Sequence, residues 1–282
     1  MTKPMILTTT LAELRQARCA CGQPFGLVPT MGYLHRGHIS LVERARAECA
    51  SVGVSIFVNP AQFGPTEDLG NYPRNLDGDL KLLEAAGVDL VWLPTQEIVY
   101  PPGFQTWVEV AGLAAPLEGS MRPGHFRGVA TVVAKLFNAF QPQRAYFGQK
   151  DAQQAAVIRR MTLDLDFPVE VVICPIVREA DGLAMSSRNA YLNPAQRQAA
   201  PVLFRALSAA KAAYDAGERN ADSLRALMTE IIQAEPLASL QYVSCADHDT
   251  LAELTSVTGK ALLSMAVYIG KTRLIDNFVL ED

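Results

Sequence analysis

The sequence lacks a long hydrophobic run. No stretch approaches the roughly 18 uninterrupted apolar residues of a membrane-spanning helix, and the first residues, MTKPMILTTTLAELRQ, lack the apolar core of a secretory signal peptide. These absences argue against a membrane protein or an exported one, and we expect a cytoplasmic location. With 49% hydrophobic residues in a chain of 282, the sequence still supports a well-buried core and two domains of ordinary size.

Positive charge is also in short supply. Lysine and arginine number 25 against 29 aspartates and glutamates, which gives a formal net charge of −4, and the basic residues form no block. A surface that follows the phosphates of a nucleic acid needs clustered positive charge. We therefore expect no nucleic acid as the main partner.

Cysteine is scarce and irregularly placed. The five cysteines are an odd number, with Cys19 and Cys21 close together and Cys49, Cys174 and Cys245 scattered. They form neither a disulfide framework nor a pair of CxxC motifs. We interpret them as reduced thiols; the alternative is a redox or metal role for Cys19 and Cys21.

Short apolar runs alternate with helical segments from residue 25 onward. Five runs rich in apolar residues predict buried strands at residues 25–29, 52–58, 89–94, 144–148 and 169–174. Segments of helical period lie between them, and this alternation is typical of βαβ units around a parallel sheet. The sequence therefore predicts an α/β fold with a Rossmann-like, doubly wound parallel sheet.

The clearest helix is predicted within residues 128–140. Its apolar residues recur at helical spacing, at Val129, Val132, Val133, Leu136, Phe137 and Phe140. Such a stripe packs one helix face against a sheet. We interpret it as core and not as a cofactor site.

The pattern changes after about residue 176. Two alanine-rich helical segments, 195–216 and 220–234, precede the segments LQYVSCAD and ALLSMAVYIGKTRLIDNFVL, which are typical of antiparallel strands. Helices followed by such strands indicate a smaller α+β domain. We therefore predict a nucleotide- and substrate-binding domain at residues 1–176 and a smaller C-terminal domain at residues 177–282.

Two of the four histidines lie close together in VPTMGYLHRGH, residues 28–38. If residues 25–29 form a strand and a helix begins at His38, then Met31–His38 form a turn at the carboxyl edge of the sheet, where α/β proteins bind ligands. Helix-start amides and two imidazoles can donate hydrogen bonds to a triphosphate. The alternative is structural, with His35 capping or covering the helix and His38 serving as a satisfied polar residue at its start.

Four further segments are polar and punctuated by glycine or proline. They are FVNPAQFGPTEDLGNYPR (57–74), LEGSMRPGHFRGV (117–129), YFGQKDAQQ (146–154) and VREADGLAMSSRNAYL (177–192). Together with the HxGH segment, in this order, they resemble the pantothenate synthetase (pantoate–β-alanine ligase) family of the HxGH nucleotidyltransferase superfamily. The resemblance is dense from about residue 25 to residue 195 and looser after that.

This resemblance implies an enzyme of pantothenate and coenzyme A biosynthesis. Such an enzyme condenses pantoate with β-alanine, with ATP as a substrate and Mg²⁺ as cofactor, and yields pantothenate, AMP and pyrophosphate through a pantoyl adenylate. Its partners are these small molecules and a second copy of the chain in a homodimer. Catalytic roles are implied for His38, His35, Lys150 and Arg188.

Contacts with ATP are implied for three segments of the sequence. The residues are Met31, Gly32, Tyr33, Leu34, His35, Arg36, Gly37 and His38; Gly148, Gln149, Lys150 and Asp151; and Val177, Met185, Ser186, Ser187 and Arg188. Gln149 stands where the family leads us to expect glutamate. Because the backbone is the expected contact at this position, the departure should matter little.

The resemblance also implies residues that bind pantoate. Gln62 and Gln154 would supply amide groups, Asn59 would assist, and Arg122 matches a basic position near the phosphates. Gln153 should face elsewhere. The magnesium ligands are not fixed by the sequence.

Three residues near these segments have two readings. Asp77 and Asp79 are candidates for magnesium by proximity, and the alternative is that they are solvated acids at the start of a helix. His125 lies near Arg122 and is either a site residue or structural.

Two other functions fit parts of the sequence. One is a different nucleotidyltransferase, such as a cytidylyltransferase or a fragment of an aminoacyl-tRNA synthetase, but no RNA-binding domain follows and the two glutamine amides suit a neutral hydroxylated acid. The other is a nonenzymatic nucleotide-binding protein, because a fold alone fixes no activity. Such a protein would bind ATP without turnover.

Overall fold

The computed structural model describes residues 4–65 and 67–281. The chain divides into two compact units: the first holds the residues up to Gly148 together with Gln153–Pro175, and the second holds Gln149–Ala152 and Ile176–Asp282. The short segment Gln149–Ala152 thus groups with the C-terminal residues, although the sequence places it inside the predicted first domain. None of the helices among the described residues is both long enough and apolar enough to cross a membrane.

The first unit is built on a parallel sheet of six strands in the order β1-β4-β3-β2-β5-β6. The strands are β1 Ile6–Thr8, β2 Phe25–Thr30, β3 Ser51–Ile56, β4 Leu90–Trp92, β5 Arg144–Gly148 and β6 Glu170–Cys174. The chain runs outward from β2 to β3 and β4, then returns to add β5 and β6 on the other side of β2. The strand order therefore reverses at β2, where doubly wound sheets bind ligands.

Helices connect the strands of this sheet. They are α1 Leu11–Cys19, α2 Arg36–Glu48, α3 Leu76–Ala85, α4 Gln96–Val99, α5 Glu118–Met121, α6 His125–Phe140 and α7 Ala152–Asp164. The predicted stripe of α6 is buried in the core cluster that contains Phe25 and Trp92. Phe140 packs against both of these aromatic rings, with centroids 6.2 and 6.0 Å away. Burial of such a side chain stabilises a fold by roughly 1.5–3 kcal/mol.

The second unit combines three helices with an antiparallel sheet. The helices are α8 Pro194–Ala199, α9 Val202–Asp215 and α10 Ala221–Gln233, and the strands β7 Ala238–Asp247, β8 Ala261–Ile269 and β9 Thr272–Leu280 pair in sequence order. The predicted helix 195–216 is in fact two helices, because Pro201 has no N–H to continue the hydrogen-bond pattern. With a doubly wound sheet in one unit and a smaller α+β unit, the predicted fold class is confirmed.

Candidate active site

The central strand β2 ends at Thr30 and is followed by the histidine turn, Met31–His38. Gly32 and Tyr33 both adopt left-handed conformations, with φ of 83° and 51°, and glycine reaches this region without steric cost. Helix α2 begins at Arg36, two residues before the predicted start. The reason is that His35 is its N-cap, since its Nδ1 accepts a hydrogen bond from the Gly37 N–H at 3.1 Å.

The two imidazoles of this turn cap the helix reciprocally. While His35 accepts from Gly37, the Nδ1 of His38 accepts from the His35 backbone N–H at 3.3 Å, and the ring centroids are 4.1 Å apart. Because a backbone N–H can only donate, each Nδ1 carries no proton, so each neutral ring carries its proton on Nε2. The structural reading of the histidines and the catalytic reading are therefore compatible: Nδ1 caps the helix, and Nε2 presents an N–H donor.

A distant carboxylate completes the support of the histidine turn. Asp79 on α3 is buried, and its two oxygens accept hydrogen bonds from the backbone N–H groups of Tyr33 and Leu34, at 2.8 and 2.7 Å. Burial raises the pKa of the Asp79 carboxyl, and the two N–H donors oppose that shift. Asp77, by contrast, is exposed in the first turn of α3.

These carboxylates were candidates for magnesium. Both oxygens of Asp79 are bound to the histidine turn, which makes it a turn support. Across residues 4–65 and 67–281, no group of three or more histidine, cysteine, aspartate or glutamate side chains is arranged to hold a metal ion. The five cysteines are all free thiols, and three of them are buried.

The loop after β3 presents an amide, and we call its residues Asn59–Gln62 the amide loop. Asn59 is buried, and its Oδ1 accepts hydrogen bonds from the Ala61 N–H and the Tyr100 hydroxyl. Its Nδ2 donates to the Gly128 carbonyl and to the Gln62 side chain, at 3.2 and 3.0 Å. The hydrogen-bonding capacity of Asn59 is thus used inside the protein.

This network fixes the orientation of the Gln62 amide. Because the Ala61 N–H requires an oxygen and the Gly128 carbonyl requires a donor, the two ends of the Asn59 amide are assigned, and Nδ2 faces Gln62. The atom of Gln62 that meets Nδ2 must then be Oε1. Within residues 4–65 and 67–281, no acceptor holds the Nε2 of Gln62.

The amide loop packs closely on the start of α6. A Cβ on Gly128 would overlap the Ala61 carbonyl oxygen, so only glycine allows this approach. Burial of the Tyr100 ring raises the pKa of its hydroxyl to about 12, so this group stays protonated and donates to Asn59. The amide loop is therefore held by its packing on α6 and by the hydrogen bond from Tyr100.

A charged cluster contacts the backbone of the amide loop. Arg122 forms a two-point ion pair with Glu67, with both distances 2.7 Å, and its Nη1 also lies 3.1 Å from the His125 Nε2. Since arginine only donates, His125 accepts at Nε2 and donates from Nδ1 to the Gln62 carbonyl, 2.8 Å away. Burial and the neighbouring Arg122 charge lower the pKa of His125 to about 4, so the ring is neutral.

Two adjacent glutamines on α7 have different environments. Gln153 is buried, donates to the Leu113 and Pro116 carbonyls, and accepts from the Glu118 N–H. The Gln153 amide is therefore used within the protein. Gln154 is half-buried, and no residue within the described ranges holds its amide.

Of the other predicted nucleotide contacts, Gly148 ends β5 in the first unit and the rest lie in the second unit. The lysine turn, Gln149–Asp151, is a single 3₁₀ turn in which the Lys150 ammonium lies 3.7 Å from the Asp151 carboxylate. Asn277 on β9 donates hydrogen bonds to the backbone carbonyls of Gln149 and Lys150. The sequence contains one signal for this residue that the motif reading missed: the polar pair Asp276–Asn277 interrupts the otherwise apolar LIDNFVL.

The remaining predicted contacts lie on a hairpin and the turn after it. The hairpin, Val177–Met185, is closed by hydrogen bonds from the Met185 N–H to the Val177 carbonyl and from the Glu179 N–H to the Leu183 carbonyl. Ser186 caps the following 3₁₀ turn by accepting from the Arg188 N–H. Ser187 is buried, whereas Met185, Ser186 and Arg188 are half-buried.

Comparison with known proteins identifies the family. The family model for pantoate-beta-alanine ligase matches residues 6–279. A pantothenate synthetase of Roseiflexus sp. (strain RS-1) is 66% identical over 277 residues, which is 98% of this chain and 100% of that protein.

Two solved structures match this chain over nearly its whole length. Pantothenate synthetase of Thermus thermophilus has a TM-score of 0.93 and 51% identity, and the match covers 97% of this chain and 99% of the other. Pantoate-beta-alanine ligase of Francisella tularensis, in complex with beta-gamma ATP and beta-alanine, has a TM-score of 0.81 and 34% identity, with 98% of each chain covered. The resemblance inferred from the motifs is confirmed, and the chain belongs to the pantoate-beta-alanine ligase family.

Proposed function

We propose that this ligase joins pantoate to β-alanine at the expense of ATP and releases pantothenate, AMP and pyrophosphate. The observation that carries the proposal is the reciprocal cap of His35 and His38, which commits both Nδ1 atoms to the backbone and fixes each proton on Nε2. The Francisella tularensis relative, whose structure contains an ATP species and β-alanine, supports the choice of substrates. Pantoate and the acyl adenylate follow from the family.

The first step would be adenylation of pantoate. A carboxylate oxygen of pantoate attacks the α-phosphorus of ATP in line, the bond from that phosphorus to the α–β bridging oxygen breaks, and pyrophosphate leaves with the electron pair. In the first unit, the Nε2–H donors of His35 and His38 would stabilise charge on the phosphate oxygens. In the second unit, Lys150, Ser187 and Arg188 are assigned to the phosphates.

The second step would release the product. The neutral amine of β-alanine attacks the acyl carbon of pantoyl adenylate, the bond from that carbon to the AMP oxygen breaks with its electron pair going to AMP, and the nitrogen loses one proton to water. No covalent bond to the enzyme is needed in either step, so catalysis consists of positioning and electrostatic stabilisation. The mixed anhydride must also be protected from water.

Pantoate would be bound through side-chain amides. The orientation of Gln62 leaves its Nε2 as a donor, which suits a hydroxyl or carboxylate oxygen of this substrate. Gln154 is assigned as the second amide. Asn59 acts through Gln62, since both ends of its own amide are used within the protein.

Magnesium enters this proposal as part of the substrate. Mg²⁺ in phosphate-transfer sites is usually held by substrate phosphates with one or two carboxylates. Within the part of the chain that the structure describes, no group of three or more histidine, cysteine, aspartate or glutamate side chains is arranged to hold a metal, and each Asp79 oxygen accepts a hydrogen bond from the histidine turn. We therefore assign no step to a protein-held metal and take the ion to bind with ATP.

The decisive experiment is exchange of labelled pyrophosphate into ATP, with Mg²⁺ and pantoate present and β-alanine absent. We expect exchange that depends on pantoate, because adenylation is reversible. A reaction without pantoate is the control. No exchange by folded protein that still binds ATP would overturn the proposed substrate, and binding without turnover for any carboxylate would favour a nonenzymatic role.

We also propose that the protein is a homodimer of the cytoplasm, as the resemblance implies. One chain has a mass of 30.6 kDa. Sedimentation equilibrium should therefore give about twice that mass, as expected for the commonest symmetric assembly. A mass near that of one chain would contradict the dimer.

A further inference from the structure

A buried polar pair interrupts the last strand of the second unit. Asp276 and Asn277 are each 3% exposed, although the rest of LIDNFVL is mostly apolar. In strand β9, Asp276 pairs with Met265 and Asn277 pairs with Ser264. Because consecutive side chains of a strand point to opposite faces, these two residues serve the two faces of the sheet separately.

Asp276 holds the Val177–Met185 hairpin. Arg178 donates two hydrogen bonds to its carboxylate, at 2.6 and 2.9 Å, and a third to the Gly182 carbonyl at 2.9 Å. The guanidinium also lies over the rings of Phe204 and Phe278, at 4.9 and 5.1 Å from their centroids. A two-point pair of this kind fixes direction as well as distance. Arg178 is therefore tied to β9 in one geometry.

The hairpin transmits this constraint to predicted nucleotide contacts. Arg178 directly follows Val177, whose carbonyl accepts from the Met185 N–H at 3.0 Å. Ser186 follows Met185 and begins the turn that contains Ser187 and Arg188. A shift of Arg178 would consequently move both ends of the hairpin.

Asn277 holds the lysine turn on the other face. Its Nδ2 donates to the Gln149 and Lys150 carbonyls at 3.0 and 2.9 Å, and its Oδ1 accepts from the Gln149 side chain at 3.1 Å. Because both carbonyls can only accept, the orientation of the Asn277 amide is determined. One side chain therefore fixes the carbonyl that precedes Lys150 and the carbonyl of Lys150 itself.

We propose that Asp276 and Asn277 are positioning residues that hold the two nucleotide segments of the second unit, the lysine turn and the Val177–Met185 hairpin with Ser186–Arg188, in a fixed relation. Neither side chain needs to touch ATP. The inference rests on the proposed function, because it takes those segments to contact ATP. It adds that the last strand, 127 residues from Lys150 in sequence, sets the position of the lysine.

The first test compares Asn277→Ser with Ser264→Ala. Ser264 is the direct partner of Asn277 across the sheet, and within the described residues its buried hydroxyl makes no hydrogen bond, so it is a matched control. We expect N277S to raise the KM for ATP at least ~10-fold while the KM for pantoate stays within about twofold, since one bound segment loses its geometry. S264A should keep both constants.

Hydrogen exchange of the full chain provides a readout that does not depend on activity. We expect N277S to speed exchange in residues 149–152 and not in 177–188, and Asp276→Asn to do the reverse. If D276N does not fold, Arg178→Lys, which keeps the charge but loses the fork, replaces it. The proposal is overturned if exchange is unchanged in both segments. It is also overturned if each variant speeds exchange equally in residues 149–152 and 177–188.

The two proposals fail in distinguishable ways. If the wild-type protein shows no pantoate-dependent exchange of pyrophosphate, the proposed function fails, while the hydrogen-exchange pattern still tests the attachment of each segment. If the wild-type protein is active and N277S retains its KM for ATP, the positioning role of Asn277 is wrong and the function stands.

Discussion

The histidine turn and the lysine turn are supported in different ways. The histidine turn contains its own cap. The imidazoles of His35 and His38 accept hydrogen bonds from backbone N–H groups that lie two and three residues away in sequence. The lysine turn depends on Asn277, whose hydrogen bonds span 127 and 128 residues of sequence. Asp79, 45 residues from Leu34, adds one distant support to the first turn. A turn that caps itself has a local signature in sequence, whereas a turn held from a distant strand does not.

Replacement of His38 should have the largest effect. His38→Ala removes both the cap acceptor and the Nε2–H donor, and we expect pyrophosphate exchange to fall at least ~100-fold, the size seen when one oxyanion donor is lost. His38→Asn is the matched variant, because its Oδ1 can still accept from the His35 N–H. It should keep the melting temperature while losing the activity. Normal single-turnover kinetics in H38A would remove His38 from the mechanism.

The distant support of the histidine turn can be broken at Asp79. In Asp79→Asn, either the Tyr33 or the Leu34 N–H faces an amide nitrogen in place of an oxygen. We expect the free energy of unfolding, measured in urea, to fall by about 1–3 kcal/mol, the cost of a buried donor left unsatisfied. Activity should fall with it.

Asp77→Asn is the control for this change, because Asp77 lies on the same helix but is exposed. It should change stability by no more than about 0.5 kcal/mol, as most surface substitutions do. Equal losses in the two variants would show that helix charge matters and the contact with the turn does not.

The stability of the protein should depend on pH through His125, which contacts the amide loop. The pKa of His125 is lowered to about 4 in the folded protein, against about 6.5 in an unfolded chain. The folded state therefore binds fewer protons, and stability is complete above pH ~6.5 and declines as the pH falls toward the folded pKa. Between pH 7 and pH 5, protonation of His125 in the unfolded chain should lower the free energy of unfolding by about 2 kcal/mol.

The variant His125→Asn isolates this contribution. Its side chain does not titrate, so the difference in unfolding free energy between pH 7 and pH 5 should be smaller than in the wild type by about that amount. An identical pH dependence in the two proteins would show that the pKa of His125 is the same in the folded and unfolded states, which would contradict the burial effect.

Gln62→Ala tests the amide loop itself. Loss of one donor to pantoate should raise the dissociation constant for pantoate by about tenfold, consistent with a net hydrogen bond of about 0.5–1.5 kcal/mol. ATP affinity in the same variant is the internal control and should change little. Calorimetry that finds the reverse would contradict the assignment of Gln62 to pantoate.

The smallest effect is expected at Gln149. Gln149→Ala removes one hydrogen bond to the Asn277 Oδ1 but leaves both backbone carbonyls bound to Nδ2. The KM for ATP should rise by no more than about threefold, within the range of a single neutral hydrogen bond. A loss as large as that of N277S would show that the side chain of Gln149, and not the backbone tether, positions the lysine turn.

Much of the fold could be predicted from local pattern. The five predicted strands and the apolar stripe of α6 are present, because burial on both faces of a parallel sheet leaves continuous apolar runs in the sequence. Strand β1 was missed: it has three residues, ILT, and forms at the sheet edge only by pairing with β4. The break between α8 and α9 was missed although Pro201 marks it.

The residues of the candidate site also divide into those with a local sequence pattern and those that depend on distant contacts. The HxGH, amide and serine–arginine segments could be found because each keeps its polar residues within a few positions. For Asp79 the sequence offered a metal ligand or a solvated acid; the structure excludes the solvated acid, because Asp79 is buried and its oxygens accept from the Tyr33 and Leu34 amides, which only the folded chain brings together. The contacts of individual residues with ATP and pantoate stay predictions.

The sequence by itself determined the alternation of strands and helices, the self-capped histidine turn and the family. These features depend on periodicity and on hydrogen bonds between near neighbours, which leave a readable spacing. Only the tertiary structure decided the order of the strands and the partners of Asp79, His125, Asp276 and Asn277. A buried polar group must find a partner somewhere in the fold, but when that partner lies 45 to 128 residues away, no spacing in the chain names it.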